Sequence, residues 1–144
     1  MRILVFTEGT ILDDRSNVES WKLFGDAAAK LNSWRKHGSE IIYLSSKRKS
    51  ESLEEVKRAL CEGGAPAGLI LFRENAEEDY GDVAARASPN VIVEDDCVSI
   101  GGEVQMTYPK LRAELKSKVK SIVVPEFGGI DHLPDDPSEL LKIK

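Results

Sequence analysis

Five short apolar runs, residues 3–6 (ILVF), 41–44 (IIYL), 69–72 (LILF), 91–93 (VIV) and 122–124 (IVV), punctuate the chain. Each is rich in β-branched residues, and none alternates apolar with polar. Strands read this way when both of their faces are covered. Helix-like stretches fill the intervals, so the pattern predicts a parallel sheet wound by right-handed crossovers. The expected architecture is α/β: a three-layer, doubly wound, Rossmann-like fold around a five-stranded, mainly parallel sheet. At 144 residues one domain, 1–144, accommodates it. That length also supports a core without disulfides or a structural metal.

The helices carry their own punctuation. Ser16 and Glu19 have the spacing of a capping box, and Val18, Trp21, Ala28, Leu31 and Trp34 recur at helical intervals up to Gly38. This predicts a first helix over 16–37, with His37 capping carbonyls at its end. Ser52 and Glu55 repeat the capping spacing before a stripe of Leu53, Val56, Ala59 and Leu60, which Gly63-Gly64 terminates. Weaker patterns predict a third helix over 78–87, a fourth from Pro109 and a short last one after Pro137.

Charge and composition narrow the function classes. A formal net charge of -5 and a pI near 5.1 argue against a general nucleic-acid binder or a binder of anionic membranes. The first apolar run is too short for a signal-peptide core, and no stretch approaches the ~20 apolar residues of a membrane span. The expectation is a soluble cytoplasmic protein. Cys61 and Cys97 form no CxxC pair, which leaves no readable zinc site and predicts two buried free thiols in a reducing compartment. The signatures of serine hydrolases, P-loop enzymes and dinucleotide-binding folds are absent from the sequence.

In a doubly wound sheet, ligands bind beyond the carboxyl ends of the strands. Thr7-Glu8-Gly9-Thr10, Ser45-Ser46-Lys47-Arg48, Arg73-Glu74-Asn75, Glu94-Asp95-Asp96 and Glu126–His132 occupy those ends here. Glu8, Glu94, Asp95 and Asp96 form a candidate metal set if the first and fourth strands are neighbours. Oxygen ligands with room for water favour Mg²⁺, and the alternative role is to cap loops by accepting backbone N–H groups. Ser45, Ser46, Lys47 and Arg48 precede a helix start and form a candidate phosphate cradle, the alternative being a solvated turn. Gly9 and Thr10 allow close backbone approach to a ligand. His132 is placed on the same rim as a possible acid, base or phosphate ligand; a histidine bonded to backbone and fixing its loop is the blander and favoured reading. The Glu126–Pro134 loop, with Phe127 and Ile130, is a candidate surface if the chain is an interaction module, but the favoured expectation is that it tucks Phe127 into the core.

In motif order this layout resembles the haloacid dehalogenase-like superfamily across nearly the whole chain. The family's first motif, D-x-D-G-T, aligns with Phe6-Thr7-Glu8-Gly9-Thr10. Its strand-ending Ser or Thr aligns with Ser45, and its late acidic pair with Asp95-Asp96, preceded by Glu94. Little room remains for a cap domain. The resemblance implies a Mg²⁺-dependent phosphatase in which the first Asp attacks phosphorus and the second, here Glu8, serves as acid and base. Two departures weigh against that chemistry. Phe6 stands at the nucleophile's position, and the region before the fourth strand holds no lysine, with Arg86 set late. The expected function is therefore a domain lacking aspartyl-phosphate chemistry that binds a phosphorylated small molecule or protein at the strand ends, with Thr7, Gly9, Thr10, Ser45, Ser46, Lys47, Arg48 and His132 as candidate contacts. The alternative is a Mg²⁺-dependent phosphatase of altered mechanism, with metal-activated water as the attacking group and Glu8 or Glu94 as base.

Overall fold

Strands β1 (Arg2–Phe6), β4 (Glu40–Leu44), β5 (Ile70–Leu71), β6 (Val91–Asp95) and β7 (Lys120–Val124) form a parallel sheet in the order β5-β4-β1-β6-β7. The computed structural model describes residues 1–48 and 52–144. From β1 the chain winds outward through β4 to β5, then returns to β6 and β7. The direction reverses between β1 and β6, and a cleft opens beyond their carboxyl ends at that switch point.

The strands sort their side chains by the two-residue period of extended backbone. Ile3, Val5, Ile41, Tyr43, Val91 and Val93 pack on one face against α1 (Ala27–Lys36), α2 (Leu53–Glu62) and α5 (Pro137–Leu140). Leu4, Phe6, Ile42, Leu44 and Ile92 pack on the other face against α3 (Tyr80–Ala87). This is the expected three-layer arrangement. Coverage fails at the margins, where Val123 in β7 is half-exposed and Leu69 beside β5 is exposed. β5 retains two ladder residues, Ile70 and Leu71, of the four in its apolar run.

The first helix begins later than its sequence pattern predicts. Residues before it form a small antiparallel hairpin, β2 (Leu12–Asp13) with β3 (Lys22–Leu23), outside the main sheet. Ser16 and Glu19 make no capping box. The Ser16 carbonyl instead accepts the Trp21 indole N–H at 3.0 Å. The Phe24 N–H donates to the Ile11 carbonyl at 2.8 Å, folding the segment back toward the end of β1. Val18 and Trp21 still pack against the core, so their spacing reported burial rather than helix. His37 does close α1, its Nδ1 lying 2.8 Å from the Ser33 carbonyl oxygen.

The α2 stripe of Leu53, Val56, Ala59 and Leu60 is buried as predicted, and Gly63 ends the helix. Its capping box is absent: the Ser52 side chain does not cap, and Glu55 accepts from Arg58 at 3.2 Å. The α3 start is capped by Asp79, whose carboxylate accepts the Asp82 N–H at 2.8 Å. The helix predicted from Pro109 is a single 3-10 turn, Tyr108–Lys110, followed by a four-residue α4 (Ala113–Lys116). That turn presses on α3 so closely that a Cβ at Gly81 would lie 2.3 Å from the Lys110 carbonyl oxygen. Among the described residues no helix is long and apolar enough to cross a membrane.

Candidate functional site

The turn after β1 is built on one carbonyl. Thr7 O accepts N–H groups from Thr10, Ile11 and Leu12 at 3.2, 3.0 and 2.9 Å, which coils residues 7–12 over the strand end. Gly9 takes φ +83°, and a Cβ there would sit 3.1 Å from both Asp95 carboxylate oxygens. Glycine is required at this point for both reasons. The coil turns the Glu8 side chain toward β4. Its Oε1 accepts from the Thr7 hydroxyl and the Ser46 N–H, and its Oε2 from the Ser45 hydroxyl, all at 2.7 Å. Ser45 Oγ in turn accepts the Lys47 N–H at 3.0 Å.

Asp95 ends β6 across the switch point. Thr10 and Asp95 clasp each other: the Thr10 hydroxyl donates to Asp95 Oδ1 at 2.7 Å and accepts the Asp95 N–H at 2.9 Å. Asp95 Oδ2 accepts the Cys97 N–H at 3.1 Å. Burial pushes the Asp95 carboxyl above its usual range, and the Thr10 hydroxyl pulls it back. Burial, with the Asp95 and Glu94 charges behind it, pushes the Cys97 thiol up to about 12. Cys97 is a buried free thiol as expected, whereas Cys61 is exposed on α2.

Glu94 and Asp96 depart from the metal set. Glu94 points to the opposite face of β6, where its two oxygens accept the Thr107 and Tyr108 N–H groups at 2.7 and 3.0 Å. Burial raises its carboxyl above the usual range despite those bonds. Strand alternation is the cause: neighbours along β6 cannot both face the cleft. Asp96 Oδ1 accepts the Val98 and Glu126 N–H groups, each at 3.3 Å, and the residue does not line the cleft. Both acids cap loops. Among the described residues no group of three His, Cys, Asp or Glu side chains gathers to hold a metal. The Glu8 and Asp95 carboxylates that do reach the cleft already accept bonds on both oxygens. Mg²⁺ is commonly held by one or two carboxylates together with water and a substrate phosphate, and Glu8 and Asp95 are the members of the predicted set that would hold it here.

The cleft encloses about 360 Å³. Of the predicted site residues, Glu8, Gly9, Ser46, Lys47 and Asp95 line it. Thr7, Thr10 and Ser45 are fully buried behind the wall and act on Glu8 and Asp95. Phe6 forms part of the wall at 8% exposure, edge-on to Tyr80 with ring centroids 5.3 Å apart. Arg48 is half-buried and does not line the cleft. His132 is exposed and equally outside it, because its loop docks on α1 instead. In that docking Asp131 accepts the Asp26 N–H, and Lys30 bonds Asp135 at 2.6 Å. Arg86, in the last turn of α3, reaches back to pair with Glu78 before the helix start at 2.7 Å, and it does not line the cleft.

Sequence reasoning missed Asp14, Arg15 and Tyr80 in the wall, named Glu126 only as part of a strand-end segment, and placed Phe127 in the core. Asp14 and Arg15 arrive on the hairpin, which the helical reading of 16–37 concealed. Lys47 pairs with Asp14 at 3.0 Å, and Arg15 holds Asp13 with two bonds, at 3.0 and 3.1 Å. The Phe127 N–H donates to the Gly9 carbonyl at 2.9 Å, bringing the loop after β7 to the cleft. Its half-buried ring lies 4.1 Å beneath the Arg15 guanidinium. The Gly9-to-Phe127 bond joins loops far apart in sequence, and no local signal announces it.

Among solved structures, the chain is similar to the crystal structure of D,D-heptose 1,7-bisphosphate phosphatase from Burkholderia thailandensis. The match has a TM-score of 0.50 at 12% identity and covers 89% of this chain and 94% of that one. The two chains share the α/β fold, a five-stranded parallel sheet with helices on both faces. No protein-family model and no curated protein sequence matches the chain. At this identity the likeness concerns architecture, and the chemistry has to be argued from the side chains.

Proposed function

We propose that this chain is a haloacid dehalogenase-like domain that binds a phosphorylated ligand or partner at the strand-end cleft without aspartyl-phosphate turnover. Phe6 carries the reading. Its benzyl group stands where the attacking carboxylate is required and is packed edge-on to Tyr80. A hydrocarbon ring supplies no electron pair to phosphorus, and loss of a nucleophile typically lowers the rate by about 10⁴–10⁶. Support for an anionic ligand comes from the donors gathered at Thr7, Ser45 and Ser46, with Arg15 and Lys47 in the adjoining wall.

The competing reading, a Mg²⁺-dependent phosphatase of altered mechanism, needs carboxylates available to a cation. Glu94 and Asp96 spend theirs on backbone N–H groups. The two readings separate in a turnover assay with an aryl phosphate and with D,D-heptose 1,7-bisphosphate, each with Mg²⁺. The expected result is no turnover by the native protein and measurable turnover on Phe6→Asp, which restores a carboxylate at that position. Native turnover that disappears in Asp95→Asn would overturn the proposal. Binding is read separately, by titration calorimetry of the native protein with a panel of phosphometabolites. Silence at millimolar ligand removes the phosphorylated-ligand part.

A further inference from the structure

We infer that Glu8 is an internal occupant of the anion site at the end of β1, and that it sets how tightly the cleft holds phosphate. The inference rests on the anion-binding reading above and deepens it. The Thr7 hydroxyl, the Ser45 hydroxyl and the Ser46 N–H converge on one carboxylate, each at 2.7 Å. Short bonds from several donors to one anion are the arrangement by which proteins bind phosphate. Here the anion is supplied by the chain itself, and it is 8% exposed.

An incoming phosphate has to take these same donors, since they are the ones aimed at the site. The displaced Glu8 carboxylate then has to find room in the cleft, whose wall already carries Asp14, Asp95 and Glu126. Like charges at such range oppose the move. The nearby cations give limited relief, because Lys47 is engaged by Asp14 and Arg15 by Asp13. Phosphate therefore binds the native protein against an intramolecular competitor, and removing that competitor strengthens binding.

The test is titration of the full chain with inorganic phosphate, followed by phosphorus NMR and by thermal shift, without added metal. Removing a like charge about 4 Å from the bound anion and freeing the donors predicts phosphate binding roughly 100-fold tighter in Glu8→Ala than in the native protein. Glu8→Gln keeps the shape, loses the charge and is expected at about 10-fold. It decides the matter if the alanine variant does not fold. Adding Ser45→Ala to Glu8→Ala should take back most of the gain, which ties the effect to this donor set. Equal or weaker phosphate binding in both Glu8 variants overturns the inference and leaves the absence of turnover untouched. Native protein silent toward phosphorylated compounds, beside a Glu8 variant that binds phosphate, supports the inference and removes the phosphorylated-ligand reading instead.

Discussion

Thr10→Val tests whether the clasp across the switch point is structural. The substitution is nearly isosteric, so it leaves no cavity, and it deletes one hydroxyl. That hydroxyl serves two partners: it donates to Asp95 Oδ1 at 2.7 Å and accepts the Asp95 N–H at 2.9 Å. Both atoms of Asp95 lose their partner in a residue 2% exposed. A buried polar group left unsatisfied costs about 1–3 kcal/mol, so the pair should cost about 2–5 kcal/mol. That is a large share of the ~5–15 kcal/mol that stabilises a typical domain. For a chain of this size it lowers the melting temperature by roughly 5–15 °C. Urea denaturation followed by far-ultraviolet circular dichroism at neutral pH measures it directly. Asp95→Asn and the double variant complete a cycle whose coupling should be at least about 1 kcal/mol. The same substitution removes the bond that holds the Asp95 carboxyl down against burial, so the Asp95 titration should move further upward. A stability loss under about 0.5 kcal/mol, or strict additivity with Asp95→Asn, would refute the clasp as the element joining β1 to β6.

Glu94→Ala strips the Thr107 and Tyr108 N–H groups of a shared acceptor and should cost about 3–5 kcal/mol in the same assay. An unchanged stability, with a change in Mg²⁺ binding instead, would restore Glu94 to a metal role. The pH dependence of stability follows from the upward shifts of Glu94 and Asp95, both caused mainly by burial. Each carboxyl binds its proton more readily folded than unfolded. Its stabilising contribution is therefore complete below its ordinary value, 4.5 for Glu94 and 3.8 for Asp95, and is lost as pH rises through the higher folded value. Mild acidification from neutral pH should thus stabilise the native protein relative to Asp95→Asn in denaturant titrations. An identical profile for the two proteins would contradict the shift.

The layered architecture was legible in the sequence because it rests on short-range pattern. Continuous β-branched runs such as 41–44 and 91–93 read directly as buried parallel strands, and Leu53, Val56, Ala59 and Leu60 read directly as one helical face. The identity of Phe6 at the end of β1 is equally a matter of sequence. The alternation of strands and helices implied a parallel sheet, but the convergence of Glu8 with Ser45 follows from the strand order, which places β4 beside β1.

Direction and partnership were decided in three dimensions. Glu94 and Asp95 are adjacent in sequence, but the pleat of β6 sends one to cap the Tyr108 turn and the other into the cleft. Ser16 and Glu19 carry a helix-start spacing that the hairpin overrides, because long-range bonds such as Phe24 to Ile11 outweigh a local propensity worth about 1 kcal/mol. His132 shares a strand-end segment with Phe127, yet the docking of Asp131 and Leu133 on α1 turns it to solvent. A sequence fixes which groups exist and how often they recur along the backbone. Which of them face one another, and which donors a carboxylate such as Glu8 has already taken, depends on contacts between segments far apart in the chain.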